Sequence, residues 1–240
     1  MEIIHIAHLY PDLLNLYGDQ GNVLTLQKRL LWRGIACDVT PLPLGAKDDL
    51  SKFDIFFAGG GQDFEQSLLL EDLKGAKGDA IRREVEKGKT FLCICGGYQM
   101  MGNYYETADG KRIPFLGAID FYTQGGKKRL IGNYAFSFAE GEVVGFENHS
   151  GKTYLGKGVF PLGKVLYGGG NNGEDGTEGV RYKNVFGTYS HGPVLPKNPL
   201  LADAVLLSAM REKYGTERLA PLDDALENAA HSAMMQKLSE

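Results

Sequence analysis

Hydrophobic positions in the first half of the chain switch repeatedly between the period of a strand and that of a helix. Glu2–Leu9 is a dense apolar run interrupted by His5 and His8, which predicts a strand. Asn22–Arg33 places Val23, Leu26 and Leu30 on one stripe and stops at Gly34, which predicts a helix. Ala36–Leu42 and Ile55–Ala58 read as further strands. Asp79–Lys87 reads as a short helix with Ile81 and Val85 inward and Gly88 as its stop, and Thr90–Ile94 as the next strand. This order predicts an α/β fold with a mostly parallel central sheet flanked by helices, and ligands bound at the carboxyl ends of its strands. From Gly117 to Ser190 the pattern becomes short strands broken by glycine turns, so an antiparallel hairpin region is expected in the second half. Pro199–Tyr214 predicts a closing helix. Residues 1–214 read as a single domain and 215–240 as a C-terminal tail, either a short amphipathic helix or partly disordered.

Three segments carry candidate chemistry, and each follows a predicted strand. Phe91-Leu92-Cys93-Ile94 runs into Cys95-Gly96-Gly97-Tyr98-Gln99, the pattern of a nucleophile on a tight strand-to-helix turn. Residues beside such a turn must lack bulk, and the helix that follows aims its N-terminal N–H groups at the sulfur, favouring thiolate. Cys95 is therefore the candidate nucleophile; the competing reading is a buried structural thiol. Val185-Phe186-Gly187-Thr188 leads to Tyr189-Ser190-His191-Gly192-Pro193, which puts His191 at a strand end as the candidate base. Ile55–Ala58 leads to Gly59-Gly60-Gly61-Gln62-Asp63, a turn whose N–H groups suit a developing oxyanion, although it lacks the spacing of a dinucleotide fingerprint.

Composition narrows the function classes. The 240 residues carry a net charge of −4 with lysine and arginine scattered, so no clustered basic face for nucleic acid is expected. No apolar run reaches the ~18 residues of a membrane span. Three cysteines without framework spacing point to a reducing cytoplasm. Ser150-Gly151-Lys152-Thr153 fails as a phosphate loop, since the required upstream glycine falls on Phe146 and Tyr154-Leu155-Gly156 does not start a helix. His5 and His8 point to opposite faces of a strand, and Cys93 with Cys95 lacks zinc spacing, so no metal is expected. His149 reads as a turn residue or as part of the site, with the turn favoured. Arg129, beside Lys127 and Lys128, reads from its residues alone either as part of a solvated basic run or as a carboxylate clamp.

Taken together these segments resemble the class I glutamine amidotransferases, over roughly the first 210 residues, and within them the cobyric-acid-synthase type. Particular likeness is to the family of glutaminase subunits of lipid II isoglutaminyl synthases, carried by His8–Asn22, Arg129-Leu130-Ile131-Gly132-Asn133 and Gly145-Phe146-Glu147-Asn148-His149. The resemblance implies a flavodoxin-like fold, Cys95 as nucleophile and His191 as base. It also implies oxyanion donors at Gly60 and Gly96, and glutamine held by Arg129 with Gln99 beside it. It further implies no cofactor in this chain, with ATP and Mg expected in a partner. That partner would be an ATP-dependent, Mur-ligase-like synthetase that forms a heterodimer and amidates the D-glutamate of lipid II at the inner face of the cytoplasmic membrane. Other readings are a cobyrinate-type subunit with another acceptor, a stand-alone cysteine hydrolase, or a non-catalytic binding module. Two departures stand out: Cys93 replaces a common glycine, and Pro193 replaces the glutamate of the His-x-Glu that orients the imidazole in triad enzymes. The expected machinery is thus a Cys–His dyad, its third acceptor coming from a backbone carbonyl, another part of this chain or a partner.

Overall fold

The computed structural model describes residues 2–61 and 69–240. One six-stranded sheet is built from β1 (Ile3–Leu9), β2 (Ala36–Leu42), β3 (Ile55–Ala58), β4 (Thr90–Ile94), β11 (Val180–Tyr182) and β12 (Val185–Thr188). Its order is β11-β12-β4-β3-β1-β2, parallel throughout except for β11 at the edge. The central strands β3 and β4 are buried at every position, as a sheet covered on both faces requires. Phe56 and Phe91 on these neighbours stack with centroids 4.5 Å apart.

Helix α1 (Gln20–Trp32) buries Val23, Leu26 and Leu30, the predicted stripe, together with Arg29. Helices Ala76–Glu86 and Pro199–Tyr214 add further cover; Ile81 and Val85 point inward as expected. A fifteen-residue helix, Ala225–Ser239, ends the chain and contributes no buried residue. Asp224 at its start pairs with the Arg29 guanidinium, and His231 Nδ1 lies 3.1 Å from the Lys197 carbonyl.

The second sheet departs from the expectation of short strands. It contains β5 (Tyr104–Glu106), β6 (Arg112–Pro114), β7 (Phe121–Phe138), β8 (Gly141–Leu155), β9 (Gly163–Tyr167) and β10 (Thr177–Glu178), and the 18-residue β7 pairs antiparallel with the 15-residue β8. The run from Gly126 to Arg129 falls in a register shift of β7, between the pairs Gly125–Gly151 and Leu130–His149 of the ladder to β8. Two short strands precede Gly117, and β11 and β12 join the parallel sheet instead.

Candidate active site

All three chemistry-bearing segments leave the parallel sheet at carboxyl ends of neighbouring strands. Cys95, directly after β4, has φ 47° and ψ −104°, a conformation that side chains rarely adopt. The short helix Gly96–Gln99 follows it at once, so Gly96 opens a helix whose first N–H groups have no intrahelical acceptor. A Cβ on Gly97 would lie 2.5 Å from the Ala58 carbonyl oxygen, which explains the small residue so close to Cys95.

Backbone hydrogen bonds draw the segments together. Cys95 N–H donates to the Thr188 carbonyl (2.8 Å), three residues before His191, and Gly97 N–H donates to Gly59 (3.0 Å). The buried Glu178 carboxylate accepts from Thr188 Oγ1 (2.6 Å) and Tyr189 N–H (2.9 Å), fixing the end of β12. His191 N–H donates to the Phe146 carbonyl on β8 (2.8 Å). The His191 imidazole is fully buried, with Tyr17 edge-on at 5.0 Å between ring centroids. Burial, with a smaller contribution from His149, lowers its pKa to about 4, so the ring is a neutral proton acceptor near neutral pH.

Gly60 packs directly against that ring: a Cβ there would come 2.7 Å from His191 Cε1. Its N–H donates to Asp19 Oδ2 at 2.6 Å. Gln62 and Asp63, the end of the predicted glycine motif, lie outside the described residues.

A cavity of about 340 Å³ opens over the elbow, lined by Cys95, Gln99, Arg129 and His149 together with Tyr17, Gly61, Tyr105 and Asn148. Its volume is at the small end of ligand pockets, of order 300–1,000 Å³. Among the described residues none that lines it is acidic. Arg129, in the irregular stretch of β7, is exposed, and its Nε and Nη2 bond the Asn148 side-chain oxygen (2.8 Å) and carbonyl (3.2 Å). Asn148 in turn donates to the Tyr17 hydroxyl. Gln99 donates to the Tyr189 hydroxyl (3.1 Å), which bonds Thr153 Oγ1 (2.6 Å), itself bonded to Thr123 Oγ1 (2.8 Å).

His149 corrects the turn expected for it. It is on β8, buried, stacked 3.6 Å from the Tyr189 ring at 7°, with Nδ1 2.7 Å from the Gly151 carbonyl. Asp19 is the other residue that sequence reasoning missed. It precedes α1 at the N-cap position, yet makes no capping bond. The only signal was an aspartate before a helix, which reads as a cap. Cys93 is fully buried on β4, its thiol pushed up to about 12 by burial, so it is inert.

Residues 5–199 match the CobB/CobQ-like glutamine amidotransferase domain. The chain belongs to that family. This amidotransferase domain is 43% identical over 221 residues to the subunit GatD of lipid II isoglutaminyl synthase (glutamine-hydrolyzing) of Streptococcus pneumoniae strain R6, covering 91% of this chain and 85% of the relative. It is also 43% identical over 214 residues to the subunit GatD of Staphylococcus aureus strain N315, covering 89% and 87%. A probable cobyric acid synthase of Methanothermobacter thermautotrophicus is 31% identical over 219 residues, covering 85% of this chain and 42% of that protein. Among solved structures, PurLQS from Thermotoga maritima superposes with a TM-score of 0.55 at 17% identity (88% of this chain, 99% of that one). The Trypanosoma brucei CTPS glutaminase domain with bound acivicin superposes with a TM-score of 0.54 at 11% identity (91% and 96%). At those identities the structures bear on the fold, which is that of the class I amidotransferases, as expected from the sequence. The chain is accordingly an enzyme of the glutamine amidotransferase type.

Proposed function

We propose that this chain is the glutaminase subunit of a lipid II-amidating enzyme. It hydrolyses L-glutamine and passes ammonia to an ATP-dependent, Mur-ligase-like partner that amidates the D-glutamate of lipid II. The reading is supported by the 43% identity to two subunits named for lipid II isoglutaminyl synthase. ATP and Mg belong to the partner. No helix among the described residues is long and apolar enough to cross a membrane, so work at the inner membrane face would go through the complex.

In the proposed reaction Cys95 loses its proton to His191, and its Sγ attacks the glutamine side-chain amide carbon. The oxyanion is stabilised by the Gly96 N–H and by the Gly60 N–H, which exchanges Asp19 for the new acceptor. His191 returns the proton to the departing ammonia, and water hydrolyses the thioester to glutamate. Arg129 holds the α-carboxylate at the cavity mouth, where no acidic side chain among the described lining residues competes with it. Gln99, fixed by Tyr189, borders the bound side chain.

The observation that carries the reading is the positive φ of Cys95 beneath this cavity, with its backbone bonded to the strand that ends at His191. Ammonia release from L-glutamine by the full chain tests it. Cys95→Ala should abolish release and keep the fold, Arg129→Ala should raise KM, and retained release in Cys95→Ala would refute the mechanism. Co-purification with a Mur-ligase-like protein tests the partner.

A further inference from the structure

One aromatic side chain reaches the cavity from the loop before α1. Tyr17, in the tight turn Leu16–Gly18, has φ 54° and ψ 26°, a left-handed conformation that a bulky residue rarely adopts. Its neighbours hold the loop in that form. Asn15 Oδ1 accepts from Gln20 N–H at 2.9 Å, and Leu16 N–H donates to the Gly60 carbonyl at 3.3 Å. Strain kept in place beside a reactive group calls for a use.

Tyr17 touches both halves of the site. Its ring centroid lies 5.0 Å from that of His191 and 5.8 Å from that of Phe146, whose carbonyl accepts from His191 N–H. Tyr17 is 48% exposed whereas His191 is 0% exposed, so the phenol forms an outer wall of the buried base. The Tyr17 hydroxyl accepts from Asn148 Nδ2. The same Asn148 accepts from Arg129 through its side-chain oxygen and its carbonyl.

We propose that Tyr17 is a positioning residue with two separable parts: its ring shields His191 from water, and its hydroxyl fixes Asn148 and thereby the aim of the Arg129 guanidinium. The proposal rests on the glutaminase reading and deepens it. An asparagine amide can be presented either way round, as a donor or as an acceptor. With Nδ2 spent on the Tyr17 hydroxyl, Oδ1 is left toward Arg129 Nε, which sets the clamp before substrate arrives.

The ring acts on the base through desolvation. Burial is the main cause that lowers the His191 imidazole to about 4. Asp19 Oδ1, 3.9 Å from Nδ1, and His149 also face this imidazole, and substitution of Tyr17 leaves both in place. Water admitted by loss of the ring favours the charged form. His191 then takes up a proton at a pH where the unaltered chain still holds the neutral base that Cys95 needs.

Two substitutions divide the roles. Tyr17→Phe keeps the ring and removes the hydroxyl, so KM for L-glutamine should rise about fivefold with kcat within about twofold. Tyr17→Asn removes the ring and suits the left-handed backbone, so its melting temperature should be retained or raised. Its kcat/KM at about pH 5.5, relative to that at about pH 8, should fall about threefold or more below the ratio of the unaltered chain. Tyr17→Phe should keep the unaltered pH profile. An unmoved acid limb in Tyr17→Asn overturns the role of the ring, and an unmoved KM in Tyr17→Phe overturns that of the hydroxyl. NMR titration of the His191 imidazole should show protonation at higher pH in Tyr17→Asn than in the unaltered chain. That titration needs no turnover, so it judges the ring even if ammonia release, the test of the glutaminase reading, fails.

Discussion

Pro193 packs its ring on Gly21, where a Cβ would lie 2.5 Å from the proline Cγ. The residue that removes a glutamate acceptor from the His191 segment therefore also seats that segment on the start of α1. Asp19, two residues before Gly21, arrives beside the imidazole through the same contact.

Adding a methyl group at this contact should push the two segments apart. Gly21→Ala is expected to cost about 1–3 kcal/mol, the usual cost of overpacking, and to lower kcat as His191 moves. Pro193→Ala in the same chain should restore much of the loss, with a coupling of at least about 0.5 kcal/mol in a double-mutant cycle by urea denaturation. Strictly additive losses would show that the two residues do not press on each other.

Asp19 and His191 titrate in opposition. Burial pushes the Asp19 carboxyl up to about 7 and the His191 imidazole down to about 4. Between roughly pH 4 and 6.5 the folded aspartate holds a proton that the unfolded one has lost, so its contribution to stability falls as pH rises. The folded histidine lacks a proton that the unfolded one carries, so its contribution rises with pH. The two slopes, each about 1.4 kcal/mol per pH unit, offset one another. Removing one partner should expose the other: Asp19→Asn should lose stability on acidification over this window relative to the unaltered chain, and His191→Gln should gain it. Melting temperatures at pH 4.5 and 6.5 provide the check, and parallel profiles for all three proteins would contradict the scheme.

The elbow stores strain that a residue without Cβ would release. At φ 47° Cys95 is in a region costing about 1–3 kcal/mol for ordinary residues. Both Cys95→Gly and Cys95→Ala should be inactive, but the glycine variant should be the more stable by about 1 kcal/mol. That reverses the ordinary order, in which glycine loses more entropy on folding. Thermal unfolding of the two variants reads the order directly.

Arg29, 1% exposed, ties the two ends of the chain together. Its Nε bonds Asp203 (2.8 Å) and its Nη2 bonds Asp224 (3.0 Å), and Arg33 also reaches Asp203. Asp224→Ala should cost about 1–3 kcal/mol, because part of a buried guanidinium is left unpaired while Asp203 remains. Deleting residues 215–240 should cost at least as much. A truncated chain with unaltered denaturation would show the tail to be energetically idle.

The parallel sheet and the elbow were legible because their signals are local. Buried strands of β3 and β4 are unbroken apolar runs, and the switch from strand to helix at Cys95 falls within a few residues. What escaped was set by distant partners. Lys127, Lys128 and Arg129 look like a solvated basic run, yet they lie in an irregular stretch of β7 between two segments that both pair with β8. His149 looked like a loop residue for the same reason, since its burial depends on stacking against Tyr189. Asp19 carries the signature of a helix cap, and only the fold shows its carboxylate spent on Gly60. The Ala225–Ser239 helix buries nothing, so no periodic stripe announced its length.

The cavity is walled by two architecturally separate units. Its sulfur comes from the parallel sheet, whereas Arg129, Asn148 and His149 come from the long antiparallel ribbon. The two are joined where His191 N–H donates to Phe146 and where His149 stacks on Tyr189. A change in the ribbon would therefore be felt at the imidazole as well as at the cavity wall.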